Sequence, residues 1–168
     1  MLVSTLFTFT GCNLLGQGKA LDYNNTIVNL QEAIVREVVS FTNNLSAEEL
    51  DATAMQAQHE KLVKTIDDNI TKLENLKALP DDKGLKQSSL DLFKFYRKTV
   101  NEDFKVMMDI LTKDNSTEED LKKVTEITEK FASDEEPIHD KFIKSQEEFA
   151  KKYGFQLQEN ALNKELGL

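Results

Sequence analysis

Four long stretches of this chain repeat their apolar residues at steps of three and four, and that spacing leaves few folds open to it. From about Lys19 to Asn44 the stripe is Ile27, Leu30, Ile34, Val38 and Phe41, running on to Leu45. The second stretch, to about Ala78, carries Leu50, Ala54, Ala57, Leu62, Ile66, Ile70, Leu73 and Leu76. The third, from about Leu85 to Lys113, carries Phe93, Tyr96, Val100, Phe104, Met107 and Leu111; the fourth carries Leu121, Val124, Thr128, Phe131, Ile138, Phe142, Phe149 and Tyr153. An α-helix brings such residues onto one face, which must be covered. Strands would need alternation with a period of two, and no stretch sustains it. The spacing predicts an all-α protein.

The punctuation sets the connections. Pro80-Asp81-Asp82-Lys83-Gly84 is the clearest break. Ser46 with Glu49, and Ser116 with Glu119, have the spacing of capping boxes, in which a hydroxyl and a carboxylate satisfy each other's free amides. Gly154 follows Tyr153 where a helix would stop. Pro137 lacks an amide donor and its ring collides with the carbonyl of Ser133, which predicts a kink or break there. Short connections make neighbouring helices antiparallel. The expectation is an up-down-up-down antiparallel four-helix bundle over residues 19–157, its fourth helix kinked or broken near Pro137, with a C-terminal tail over 158–168.

At 168 residues the chain is long enough for one domain with a self-sufficient core. Its net charge of −9 and pI near 4.8 argue against nucleic acid, whose phosphates repel such a surface, and against electrostatic binding to an anionic bilayer. A single cysteine cannot form an internal disulfide.

That cysteine, Cys12, follows an uncharged, largely apolar segment, MLVSTLFTFTG, over residues 1–11. About ten such residues are too few to span a bilayer, which takes about 20, but suit the apolar region of an export signal. Phe9-Thr10-Gly11-Cys12 resembles the lipobox of bacterial lipoproteins. The resemblance implies cleavage before Cys12 and attachment of diacylglycerol and N-acyl chains to it, so that the membrane is a partner through lipid. Several acyl chains anchor stably where one is marginal. Residues 12–18 then read as the lipidated Cys and a short tether.

Catalytic constellations are missing. A di-metal carboxylate bundle uses two Glu-x-x-His motifs; Glu136 and His139 supply one, across Pro137, while His59 has Gln56 in the corresponding place. Cys-x-x-Cys-His for haem, clustered Cys and His for zinc, and a Gly-rich phosphate loop are all absent from the sequence. The expectation is a protein that is not an enzyme and carries no cofactor and no metal; His139 reads as a solvated histidine and His59 as part of a polar flank.

Two places stand out as candidate sites. Tyr23, Asn24 and Gln31 form a polar strip, Asn24 and Gln31 lying seven apart beside Ile27 and Val28. It suits a recognition strip or buried amide network, and suits better still a device that fixes helix register. Asp134, Glu135, Glu136 and His139 gather around the proline. They would suit a basic partner loop, or simply favour a helix start.

The run Tyr23-Asn24-x-x-Ile27-Val28-x-x-Gln31, after a leader of lipoprotein type and ahead of an acidic helical domain, resembles a family of small surface lipoproteins of spirochaetes and Bacteroidetes-type bacteria. The resemblance implies display on the outer membrane and binding of host extracellular proteins by a non-catalytic module. Two alternatives stand beside it: a periplasm-facing scaffold or chaperone of the envelope, and a metal- or haem-binding bundle.

Overall fold

The computed structural model describes residues 14–45, 50–113 and 115–157, and among these the chain is helical with no strand. Helix α1 is Leu14–Leu45 and α2 is Ala52–Asn75. A third rod is continuous but changes pitch: α3, Leu85–Thr99, passes through a π-helical turn, Val100–Phe104, into α4, Lys105–Leu111. The fourth rod is α5, Glu118–Tyr153.

Several boundaries differ from the sequence expectation. Residues 14–18, read as tether, form the first turn of α1. Residues 46–49, with the expected Ser46 capping box, lie outside the described residues; the cap of α2 is Asp51, whose Oδ1 accepts from the amides of Thr53 and Ala54 at 2.8 and 3.2 Å. Helix α2 stops at Asn75, three residues short of Ala78, where Leu76 turns extended (ψ 120°), and the Lys86 ammonium meets the carbonyls of Glu74 and Leu76 at 2.8 and 2.6 Å. The second capping box is one residue later than expected, Thr117 with Asp120. Ser116 instead donates to the Ile110 carbonyl at 2.6 Å.

The Pro80–Gly84 break is a true turn. Asp81, Lys83 and Gly84 all have positive φ, of 55°, 57° and 76°. Asp82 holds the turn with one carboxylate, accepting from the Gly84 amide at 3.0 Å and from the Tyr23 hydroxyl at 3.1 Å. Gly154, at φ 75°, ends α5 as its position predicted.

Pro137 does not break the fourth helix. Helix α5 is unbroken from Glu118 to Tyr153 with the proline inside it. Pro137 is exposed, so its ring projects into solvent.

The core lies along the expected stripes with two local shifts. Ile27, Ile34, Phe41, Leu62, Ile66, Leu73, Phe93, Val100, Phe142 and Phe149 are buried. In the first turns of α2 the stripe is Met55, His59 and Leu62, and Ala54 and Ala57 are exposed: the larger side chains take the core. Near the start of α5, Ile127 is buried, whereas Leu121 is 50% exposed and Thr128 faces solvent. Aromatic rings tie the rods: Phe41 stacks on Phe104 at 5.8 Å, Phe104 meets Phe131 at 5.5 Å, and Tyr23 meets Phe149 at 5.5 Å. Truncating the buried Phe41, Phe104 or Phe149 to alanine would cost about 3–5 kcal/mol.

Inter-helix partners run in opposite order along each packed pair. Between α1 and α2 they are Asn44 with Gln58, Glu37 with Lys61, and Leu30 with Asn69. Between α2 and α3 they are Glu74 with Lys94, then Asp67 with Arg97. Between the third rod and α5 they are Asp91 with Lys141, Tyr96 with Glu135, and Asp103 with Lys130. The first and last helices meet through Gln17 with Gly154 and Asn24 with Gln146.

Candidate functional site

The amides of α1 and the late turns of α5 make the most distinctive site. Gln17, Leu21, Asn24, Val28 and Gln31 follow one another at steps of four and three, a second stripe beside the core stripe of α1. Opposite them α5 presents His139, Phe142 and Gln146 at steps of three and four. Between the two helices lies a groove of about 720 Å³, closed at one end by Gly154 and the segment Phe155–Leu157. From Gln17 to Gln31 it extends about 21 Å, at about 1.5 Å per residue.

Buried amides form its floor. Gln146 Nε2 donates to Asn24 Oδ1 at 3.0 Å, and both residues are buried. Gln31 is only 8% exposed, yet its amide makes no hydrogen bond among the described residues. Its polar atoms open into the groove instead. Phe142 is fully buried beneath them. Glu32 is the one charged carboxylate along the described lining, and no Lys or Arg is among the described residues there.

Of the expected polar strip, Asn24 and Gln31 share this groove and Tyr23 does not. Tyr23 turns into the core against Phe149 and donates to Asp82. Burial first, then the Asp82 carboxylate, pushes its phenol above the usual tyrosine range. Cys12 lies outside the described residues.

The expected acidic cluster is dispersed, because successive residues of an unbroken helix point 100° apart. Asp134 pairs with Lys130 at 2.7 Å beside a shallower pocket of about 550 Å³ that also holds Pro137, Lys98 and Asp103. Glu135 accepts from the buried Tyr96 hydroxyl. Glu136 is exposed, and His139 turns to the α1 groove, its ring 6.3 Å from Phe142. His139 therefore joins the amide strip, while the carboxylates go elsewhere.

Two features went unread in the sequence. Gln146 sits in the stripe between Phe142 and Phe149, so a polar residue at a core position was the available signal. His59 is buried rather than on a polar flank; its Nε2 donates to the Val100 carbonyl at 2.9 Å, at the entry of the π-helical turn. Wide turns of this kind are frequent at functional sites.

Among the described residues no group of three or more His, Cys, Asp or Glu is placed to hold a metal ion, and no helix is long and apolar enough to cross a membrane. No protein-family model, curated protein or solved structure matches the chain.

Proposed function

We propose that this chain is a non-catalytic binding module, an up-down-up-down antiparallel bundle held at a bacterial envelope by lipid on Cys12. The opposite order of partners along each helix pair supports the bundle topology, with α5 bent where the Pro137 ring meets the Ser133 carbonyl. The leader and the lipobox-like Phe9-Thr10-Gly11-Cys12 support the anchor. Leu14, two residues past Cys12, is already helical, so the bundle would sit close to the membrane.

The observation that carries a binding role is Gln31, a residue more than nine-tenths buried whose unpaired amide atoms face the α1–α5 groove. Its polar atoms reach the solvent of the groove, so a partner can exchange water for direct hydrogen bonds there, each worth about 0.5–1.5 kcal/mol net. Among its described residues the groove pairs amides with apolar side chains and holds no nucleophile beside a base, which favours recognition over chemistry. Following the resemblance of the first helix, the partner is a host extracellular protein and the site is the outer surface.

Fractionation of cells expressing the Cys12→Ala chain tests the anchor: that variant should leave the membrane fraction, and full retention would sink the lipid attachment. Protease treatment of intact cells tests the orientation. Digestion without permeabilisation is expected; digestion only afterwards would give the envelope-scaffold reading instead.

A further inference from the structure

We propose that the α1–α5 groove binds an extended peptide segment, apolar at alternate positions and carrying a basic residue. The inference rests on the reading of this groove as a binding site, and gives it an occupant.

A carboxamide offers an acceptor oxygen and two N–H donors, so it can pair with both the N–H and the C=O of a peptide backbone. Gln31 has all of these free among the described residues. Asn24 gives its oxygen to Gln146 but keeps its Nδ2 donors, with only a long 3.5 Å contact to Asn25. The two amides lie two helical turns apart, about 10.5 Å. Three residues of extended chain span about 10 Å, so one strand-like segment meets both through its backbone. Leu21, 39% exposed, and the half-buried Val28 and Ile143 lie alongside to receive alternate side chains.

Other occupants fit less well. A helix satisfies its own backbone and would leave Gln31 unmet. Sugars stack on open aromatic faces, whereas Phe142 is 1% exposed and Phe155 packs edge-on against Phe149. Anions would meet the Glu32 carboxylate and a chain of net charge −9. The same charges favour a basic side chain on the peptide.

The test is a display library of random nonamers, selected on the immobilised full chain with the Gln31→Leu chain as counter-target. Enriched peptides should hold Arg or Lys with alternating apolar residues. As synthetic peptides they should bind about tenfold more weakly to Gln31→Leu, shift the Gln31 side-chain amide resonances, and lose affinity when their backbone is N-methylated. The variant should melt at or above the parent temperature, which separates lost binding from lost folding. Peptides that bind both chains alike, or that tolerate N-methylation, overturn the backbone-reading inference but leave the groove a binding site. Maltotriose shifting the Gln31 amide while no peptide is enriched gives the groove to a saccharide. Nuclear Overhauser contacts from that amide to Leu162 or Leu166 in the free chain give it to the chain's own last residues. A groove that answers to none of these overturns the inference and the binding-site reading together.

Discussion

Gln146 and Asn24 stand 122 positions apart in the chain and meet through a 3.0 Å hydrogen bond inside it. This amide pair joins the last helix to the first beside the groove, and both side chains are buried. Each depends on the other, since an amide deprived of its partner keeps its desolvation cost.

Asn24→Leu and Gln146→Leu should therefore each destabilise the protein by about 1–3 kcal/mol. The double replacement should cost clearly less than the sum, because it leaves no orphan. Urea unfolding of the three variants checks this; strictly additive losses would show that the pair is not coupled.

Pro137→Ala should stabilise the chain, by up to about 3 kcal/mol, since alanine restores an amide donor in the middle of α5 and removes the ring. For a protein of this size that corresponds to about 2–4 °C in Tm per kcal/mol. Calorimetry reads it directly, and an unchanged or lowered Tm would mean that the proline is accommodated without cost.

Alkaline pH should weaken the fold through its buried tyrosines. Burial, then the Glu135 carboxylate, holds the Tyr96 phenol well above its ordinary value of 10.0. A raised folded-state value means that this stability is complete below about pH 10 and is lost as pH rises further, when the unfolded chain ionises first. The urea midpoint should fall between pH 9 and pH 11 in the parent, and fall less in Tyr96→Phe. Tyr23, raised by its own burial and Asp82, keeps part of the effect. Equal falls in the two proteins would remove Tyr96 from the explanation.

His59→Leu should cost about 1–2 kcal/mol by leaving the Val100 carbonyl without its side-chain donor, and should speed amide exchange in the Val100–Phe104 turn. His59→Gln, which can still donate, should recover part of the loss. Exchange that stays slow in both variants would mean that the wide turn stands without the histidine.

Most of the helical pattern was legible because large apolar residues announce their own face: Ile27, Ile34 and Phe41, or Phe142 and Phe149, leave one solution. Small residues announced nothing, so Ala54 and Ala57 were assigned to a face that Met55 and His59 occupy. The π-helical turn left no such mark: the two consecutive four-residue steps from Tyr96 through Val100 to Phe104 recur from Leu30 through Ile34 to Val38 in α1, which stays regular. The strip of Asn24 and Gln31 was visible as a face, but its closure by Gln146 and His139 was not. That closure is set by where α5 crosses α1, and no local spacing encodes it.

The surplus residue in Val100–Phe104 has a further consequence. Because the wide turn absorbs it locally, the helix beyond it still buries Met107, Met108 and Ile110. The third rod thus contains one place where the chain can be shortened by a residue without misdirecting the turns beyond it. A deletion between Val100 and Phe104 would relax the turn to an ordinary helix and keep the downstream face toward the core. The same deletion elsewhere would swing that face by about 100°, so this helix has a single point at which its length is negotiable.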